Sequence, residues 1–121
     1  QGRLLAILHR KKATIAALCH APALLLSAPE RFDGQWLFEG FRLTAYTDEE
    51  EDQNRIGMLG MPGYLAAALQ NAGAVFDDAP FAWASHVVVD RNLITGQNPN
   101  SSDAMADAVL KALDLTARQA I

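Results

Sequence analysis

Thr14-Ile15-Ala16-Ala17-Leu18-Cys19-His20-Ala21-Pro22 is the stretch from which the fold of this 121-residue chain is read. Residues 14–18 are short, apolar and uninterrupted, as a strand buried in a parallel sheet is, although a helix segment shows the same run. Helix-favouring residues follow from His20 to Ala28, with Pro22 tolerated in the first turn and Ala28-Pro29 as the stop. A strand that ends in a nucleophilic side chain and turns at once into a helix is a nucleophile elbow. The turn is tight, so small residues are required two places before and two after, and Ala17 and Ala21 stand there. Such geometry would set the Cys19 sulfur at a helix N-terminus, where backbone N–H groups favour a thiolate. The same N–H groups, that of His20 first, could stabilise an oxyanion. The plainer reading is that a lone cysteine on an apolar strand is a small buried hydrophobe, and a lone histidine a structural residue.

Working outward, Arg3 to Lys12 reads as an amphipathic helix bearing Leu4, Leu5, Ile7 and Leu8, with Arg10, Lys11 and Lys12 in its last turn. After the elbow, Gln35 to Phe38 and Arg42 to Tyr46 read as two short extended runs of a small hairpin or a sheet extension, punctuated by Gly34 and Gly40. An acidic tract follows, Asp48-Glu49-Glu50-Glu51-Asp52. A helix is expected from Pro62, with Met61, Leu65, Ala68, Leu69 and Ala72 on one face and Gly73 closing it. Ala74 to Phe76, Val87 to Val89 and Leu93 to Thr95 read as strands, the last two joined by Asp90-Arg91-Asn92. A final helix is expected to be capped by Asn100 with Asp103, burying Met105, Ala108, Val109, Ala112 and Leu113. The pattern is one compact α/β alternation without repeats or linkers.

Composition narrows the partners. Half the residues are hydrophobic, a fifth are charged, and the net charge is −4 with scattered positive residues. Nucleic acid is therefore not an expected partner, since phosphate binding needs a clustered basic face. No apolar run reaches the roughly 18 residues of a membrane span. One cysteine allows no internal disulfide, which suits a reducing, cytoplasmic setting.

The stretch IAALCHAPALLL (residues 15–26) resembles the elbow of the ThiJ/PfpI superfamily, whose fold is that of class I glutamine amidotransferases. The likeness continues in order through LTAYTDEEE (43–51), GMPGYLAAALQNAGAVF (60–76) and WASHVVVDRNLITGQNPNSS (83–102). It spans about residues 14–113 and is most similar to the heat-inducible chaperone and glyoxalase III branch. The resemblance implies a flavodoxin-like three-layer α/β sandwich with a mostly parallel sheet. It implies Cys19 as nucleophile, His20 as its partner and Glu51 as the acid that orients His20, with Glu50 in reserve. Glu49 and Asp52 are expected in solvent, and Thr95 to Pro99 close to the site. His9 and His86 read as structural or surface residues, and Trp36 and Trp83 as core or interface.

Members of that branch are longer, so residues 1–121 are expected to be the C-terminal part of a single domain. Upstream βα units would supply a further glutamate, a second oxyanion donor and any metal ligands; no metal and no cofactor is assigned to this chain. The activity implied is cofactor-independent conversion of a small carbonyl substrate, a 2-oxoaldehyde such as methylglyoxal, to a 2-hydroxy acid. Alternatives are a holding chaperone for unfolded proteins, and an amidase or peptidase-like hydrolase. The amidotransferase His-x-Glu near the chain end is absent. A homodimer is expected from the resemblance alone.

Overall fold

In the computed structural model, residues 1–54 and 63–120 are described, the last six of them by backbone only. The order is α1 (Gly2–Arg10), β1 (Ile15–Leu18), a 3₁₀ stretch (Ala21–Ser27), β2 (Arg42–Leu43), α2 (Asp48–Gln53), α3 (Leu65–Ala72), β3 (Val75–Phe76), β4 (Val87–Asp90), β5 (Leu93–Gly96), a 3₁₀ turn (Pro99–Ser101) and α4 (Ser102–Ala120). The apolar run before Cys19 is a strand. It pairs in parallel with β5, Ile15 opposite Leu93 and Leu18 opposite Gly96. β4 closes antiparallel on the other side of β5, while β2 and β3 form a separate parallel pair. Among the described helices none is long and apolar enough to cross a membrane.

Phe38, Phe41, Leu43, Leu69 and Leu93 lie fully buried at the centre of one hydrophobic core. Burying each such side chain contributes about 1.5–3 kcal/mol. Leu5 and Leu8 of α1 pack against this core, but Leu4 and Ile7 face solvent, so the apolar stripe of α1 is narrower than its sequence suggests. Leu65 and Leu69 of α3 are buried as expected, and Gly73 ends that helix in the left-handed conformation (φ 116°). Met61 and Pro62, expected at its start, lie outside the described residues.

Four expectations are corrected or narrowed. The helix after the elbow is 3₁₀ rather than α: Ala23 N–H donates to the His20 carbonyl and Ala28 N–H to that of Leu25, each three residues back. Gln35–Phe38 and Arg42–Tyr46 make no hairpin; of the two readings the sheet extension holds, over Arg42–Leu43 alone. Trp36 and Phe38 turn into the core instead, the Trp36 indole donating to the Leu25 carbonyl, and β2 pairs with β3. Asn100 does not cap α4, because its side chain donates to the Trp83 carbonyl (2.8 Å), and Leu113 is exposed.

Gly96 lets α4 reach the sheet. A methyl group there would lie 2.6 Å from the Leu18 side chain and 2.7 Å from that of Met105. At the far end of the molecule, α1 closes with Lys12 N–H bonded to the His9 carbonyl and Ala13 N–H to that of Leu8, Lys12 taking φ 56°. Glycine normally occupies that position. Lys12→Gly is expected to raise unfolding stability by about 1 kcal/mol, read from urea denaturation, because it removes left-handed strain on a residue with a Cβ.

Candidate active site

Cys19 directly follows β1 with φ 65°, a backbone conformation that residues with a side chain seldom adopt. Two hydrogen bonds hold it there. Its own N–H donates to the Gly96 carbonyl (2.9 Å), and its carbonyl accepts from Tyr46 N–H (3.0 Å). The elbow is thus clamped between β5 and the segment that leads from β2 to α2. Strain of this kind costs about 1–3 kcal/mol and persists only where the surroundings over-determine it.

The side chains beyond the elbow form a continuous line. Cys19 Sγ lies 3.4 Å from His20 Nδ1, and His20 Nε2 lies 2.7 Å from Glu51 Oε2. His20 is partly exposed whereas Glu51 is buried, and Glu51 Oε1 has no partner among the described residues. One ring nitrogen therefore faces the nucleophile and the other a carboxylate, the arrangement of a nucleophile–base–acid triad. Burial raises the Cys19 thiol above its ordinary value; the His20 backbone N–H at the sulfur opposes this, and the Glu50 and Glu51 charges add to it. The net direction is opposite to the pull toward a thiolate expected at a helix N-terminus.

The acidic tract is the helix α2, not a loop. Thr47 caps it through Glu50 N–H while the Glu50 carboxylate reaches back to Thr47 N–H, a capping box that Thr47-x-x-Glu50 announces in the sequence. One helical step then aims Glu51 at His20 and buries Glu50 completely, leaving Glu49 and Asp52 exposed. Glu50 does not touch His20. Its Oε1 accepts from Thr47 N–H, Thr47 Oγ1 and Gln97 Nε2 (3.0, 2.8 and 3.1 Å), and its Oε2 from Trp83 N–H and Asn98 Nδ2 (2.9 and 2.7 Å). The loop after β5 is therefore close to the site, as expected, because Gln97 and Asn98 are tied to the carboxylate next to Glu51.

Sequence reading missed two residues. Tyr46 lies with its ring 4.2 Å from that of His20, tilted 35°. Trp83, expected in the core or at an interface, stands edge-on to Tyr46 at 5.6 Å. The tyrosine immediately before the capping threonine was a visible signal; nothing near Trp83 in sequence announced it. His9 and His86 are in structural contacts, His9 with Asn92 and His86 with Asp77. Cavities of about 250 Å³ beside Thr47, Phe76 and Gln97, and of about 700 Å³ beside Arg10, Lys12 and Arg91, are lined by neither Cys19 nor His20. Among the described residues no His, Cys, Asp and Glu side chains gather in a group able to hold a metal ion.

Similar proteins bear on this geometry. No family model matches the chain. It is 29% identical over 107 residues to Glyoxalase 3 of Candida albicans, covering 86% of this chain and 45% of that protein. It is 33% identical over 101 residues to the human glutamine amidotransferase-like class 1 domain-containing protein 1, covering 84% of this chain and 44% of that protein. Among solved structures, the Rapid Encystment Protein of Francisella tularensis matches with TM-score 0.82 at 29% identity, over 90% of this chain and 47% of its own. Glyoxalase III of Candida albicans matches with TM-score 0.74 at 27% identity, over 86% of this chain and 45% of its own. A two-domain protein of Anabaena variabilis with a DJ-1/ThiJ/PfpI-like domain shares the fold, with TM-score 0.60 at 24% identity over 93% of this chain and 24% of its own. The chain spans about half the length of the curated relatives it matches.

Proposed function

We propose that this chain, a homologue of the glyoxalase III proteins with the DJ-1/ThiJ/PfpI-like fold, carries the nucleophile, base and orienting acid of a glutathione-independent glyoxalase. The observation that carries the proposal is the unbroken Cys19–His20–Glu51 line, with 3.4 and 2.7 Å between its members on a strained elbow.

Cys19 sulfur adds to the aldehyde carbon of methylglyoxal, and its proton passes to His20, then to the new oxygen; a hemithioacetal results. His20 removes the hydrogen from the sulfur-bearing carbon and returns a proton to the neighbouring carbon, through an enediol. The ketone carbon is thereby reduced and the aldehyde carbon oxidised, giving a lactoyl thioester. Water cleaves it to lactate and the free thiol. Oxidation and reduction balance within the substrate, so the scheme needs no redox partner. Glu51 holds the imidazole in register and stabilises its protonated form.

The test is lactate formation from methylglyoxal by the purified whole protein without glutathione; absence of product overturns the proposal. Within that assay Glu51→Gln is expected to lower kcat about 100-fold or more, in line with the contribution of a positioned acid–base pair. Glu49→Gln, on the exposed side of α2, is expected to leave turnover unchanged.

A further inference from the structure

Three rings meet over the site, and one short helix grips each of them. Glu51 takes the edge of His20 at Nε2 (2.7 Å). Asn54, the residue that ends α2, donates from Nδ2 to the Tyr46 hydroxyl (3.1 Å). Glu50 accepts Trp83 N–H (2.9 Å), and Gln53 Oε1 accepts the Trp83 indole N–H (2.6 Å). Asn100 completes the hold by donating to the Trp83 carbonyl (2.8 Å). Trp83 sits at φ 67°. A left-handed conformation in a bulky side chain is an outlier, tolerated here because three hydrogen bonds fix the residue. What the strained turn accomplishes is to stand the indole against the buried Tyr46 ring, whose other contact is the catalytic imidazole.

We propose that Tyr46 and Trp83 are positioning residues for His20: they form an aromatic wall, held by Glu50 and Gln53, that fixes the plane of the imidazole. The triad bonds act along the ring edge, at Nδ1 and Nε2. They restrain rotation of the ring about its Cβ–Cγ bond only as tightly as their own geometry, and Cys19 Sγ at 3.4 Å is a weak restraint. A ring 4.2 Å away across the imidazole face supplies a further restraint. The two adjacent glutamates thus divide the work: Glu51 orients the edge, and Glu50 holds the wall that orients the face. This inference rests on the reading of His20 as the base, so its test includes measurements that need no turnover.

The test compares Tyr46→Leu and Trp83→Gly with Tyr46→Phe and Trp83→Phe in the whole protein. Glycine accepts φ 67° without strain, so Trp83→Gly removes the ring and leaves the turn. Both ring-deleting variants are expected to shift the His20 ring-proton NMR resonances, assigned with His20→Gln. They are also expected to change the pH profile of Cys19 alkylation by iodoacetamide. Where lactate formation is measurable, kcat should fall about 10- to 100-fold while KM stays within about twofold. The two phenylalanine variants should keep all three properties close to the parent. Unmoved His20 resonances and an unchanged alkylation profile in both ring-deleting variants overturn the inference, even if their melting temperatures drop. Shifted resonances in a protein that makes no lactate uphold the wall and overturn only the proposed reaction.

Discussion

Cys19→Ala is expected to abolish lactate formation from methylglyoxal while leaving the fold intact. The reaction scheme passes through a carbon–sulfur bond, so a methyl group in place of the thiol removes the pathway rather than slowing one step. The loss should reach the assay floor, at least about 1,000-fold on kcat, with Cys19→Ser nearly as inactive because a hydroxyl is a far weaker nucleophile at neutral pH. Stability should fall little. Cys19 is only half-buried, and its bonds to Gly96 and Tyr46 are made by the backbone. Turnover by Cys19→Ala comparable to the parent protein would remove the covalent mechanism. Thermal denaturation of the same samples separates that outcome from misfolding.

Glu50→Ala is expected to cost about 3–5 kcal/mol of unfolding stability, the largest effect of any single change near the site. Five donors converge on this fully buried carboxylate, from Thr47, Trp83, Gln97 and Asn98, and alanine would leave them without their acceptor. The same bonds set a pH dependence. Burial on its own would raise the Glu50 carboxyl, but the hydrogen bonds from Thr47, Asn98 and Trp83 outweigh it and hold the group below its ordinary 4.5. A depressed carboxyl stabilises the fold at all pH values above 4.5, and that contribution is lost as pH falls below 4.5 through the folded value. Urea unfolding at several pH values should therefore show stability falling below pH 4.5. Glu50→Gln should be less stable at pH 7 and show a shallower fall. An identical pH slope in parent and variant would show that Glu50 does not carry it.

The two glutamates show how far local pattern reaches. Both lie in DEEED, and the resemblance to the ThiJ/PfpI superfamily implied Glu51 ahead of Glu50 as the acid on His20; the geometry places Glu51, not Glu50, on His20. What pattern could not reveal is the part played by Glu50, since three of its five donor groups come from distant segments: Trp83 lies 33 residues away, Gln97 47 and Asn98 48. Only the Thr47 capping box was written locally. Asn100 is the converse case. Its position before α4 fits a cap, yet its amide goes to Trp83, because a strained carbonyl brought close by the tertiary fold competes with the helix end.

By itself, the sequence determined the strand–elbow junction at Cys19, the paired strands around Asp90-Arg91-Asn92 and the helix stop at Gly73. Each depends on sterics or hydrogen bonds among residues a few places apart. Tertiary structure alone decided that the stretch after Cys19 is 3₁₀, that Trp36 and Phe38 leave the extended run for the core, and that Trp83 stands on Tyr46 over His20. Those outcomes turn on which apolar surface is available to bury and which buried donors lack acceptors. Both are settled only when distant segments meet.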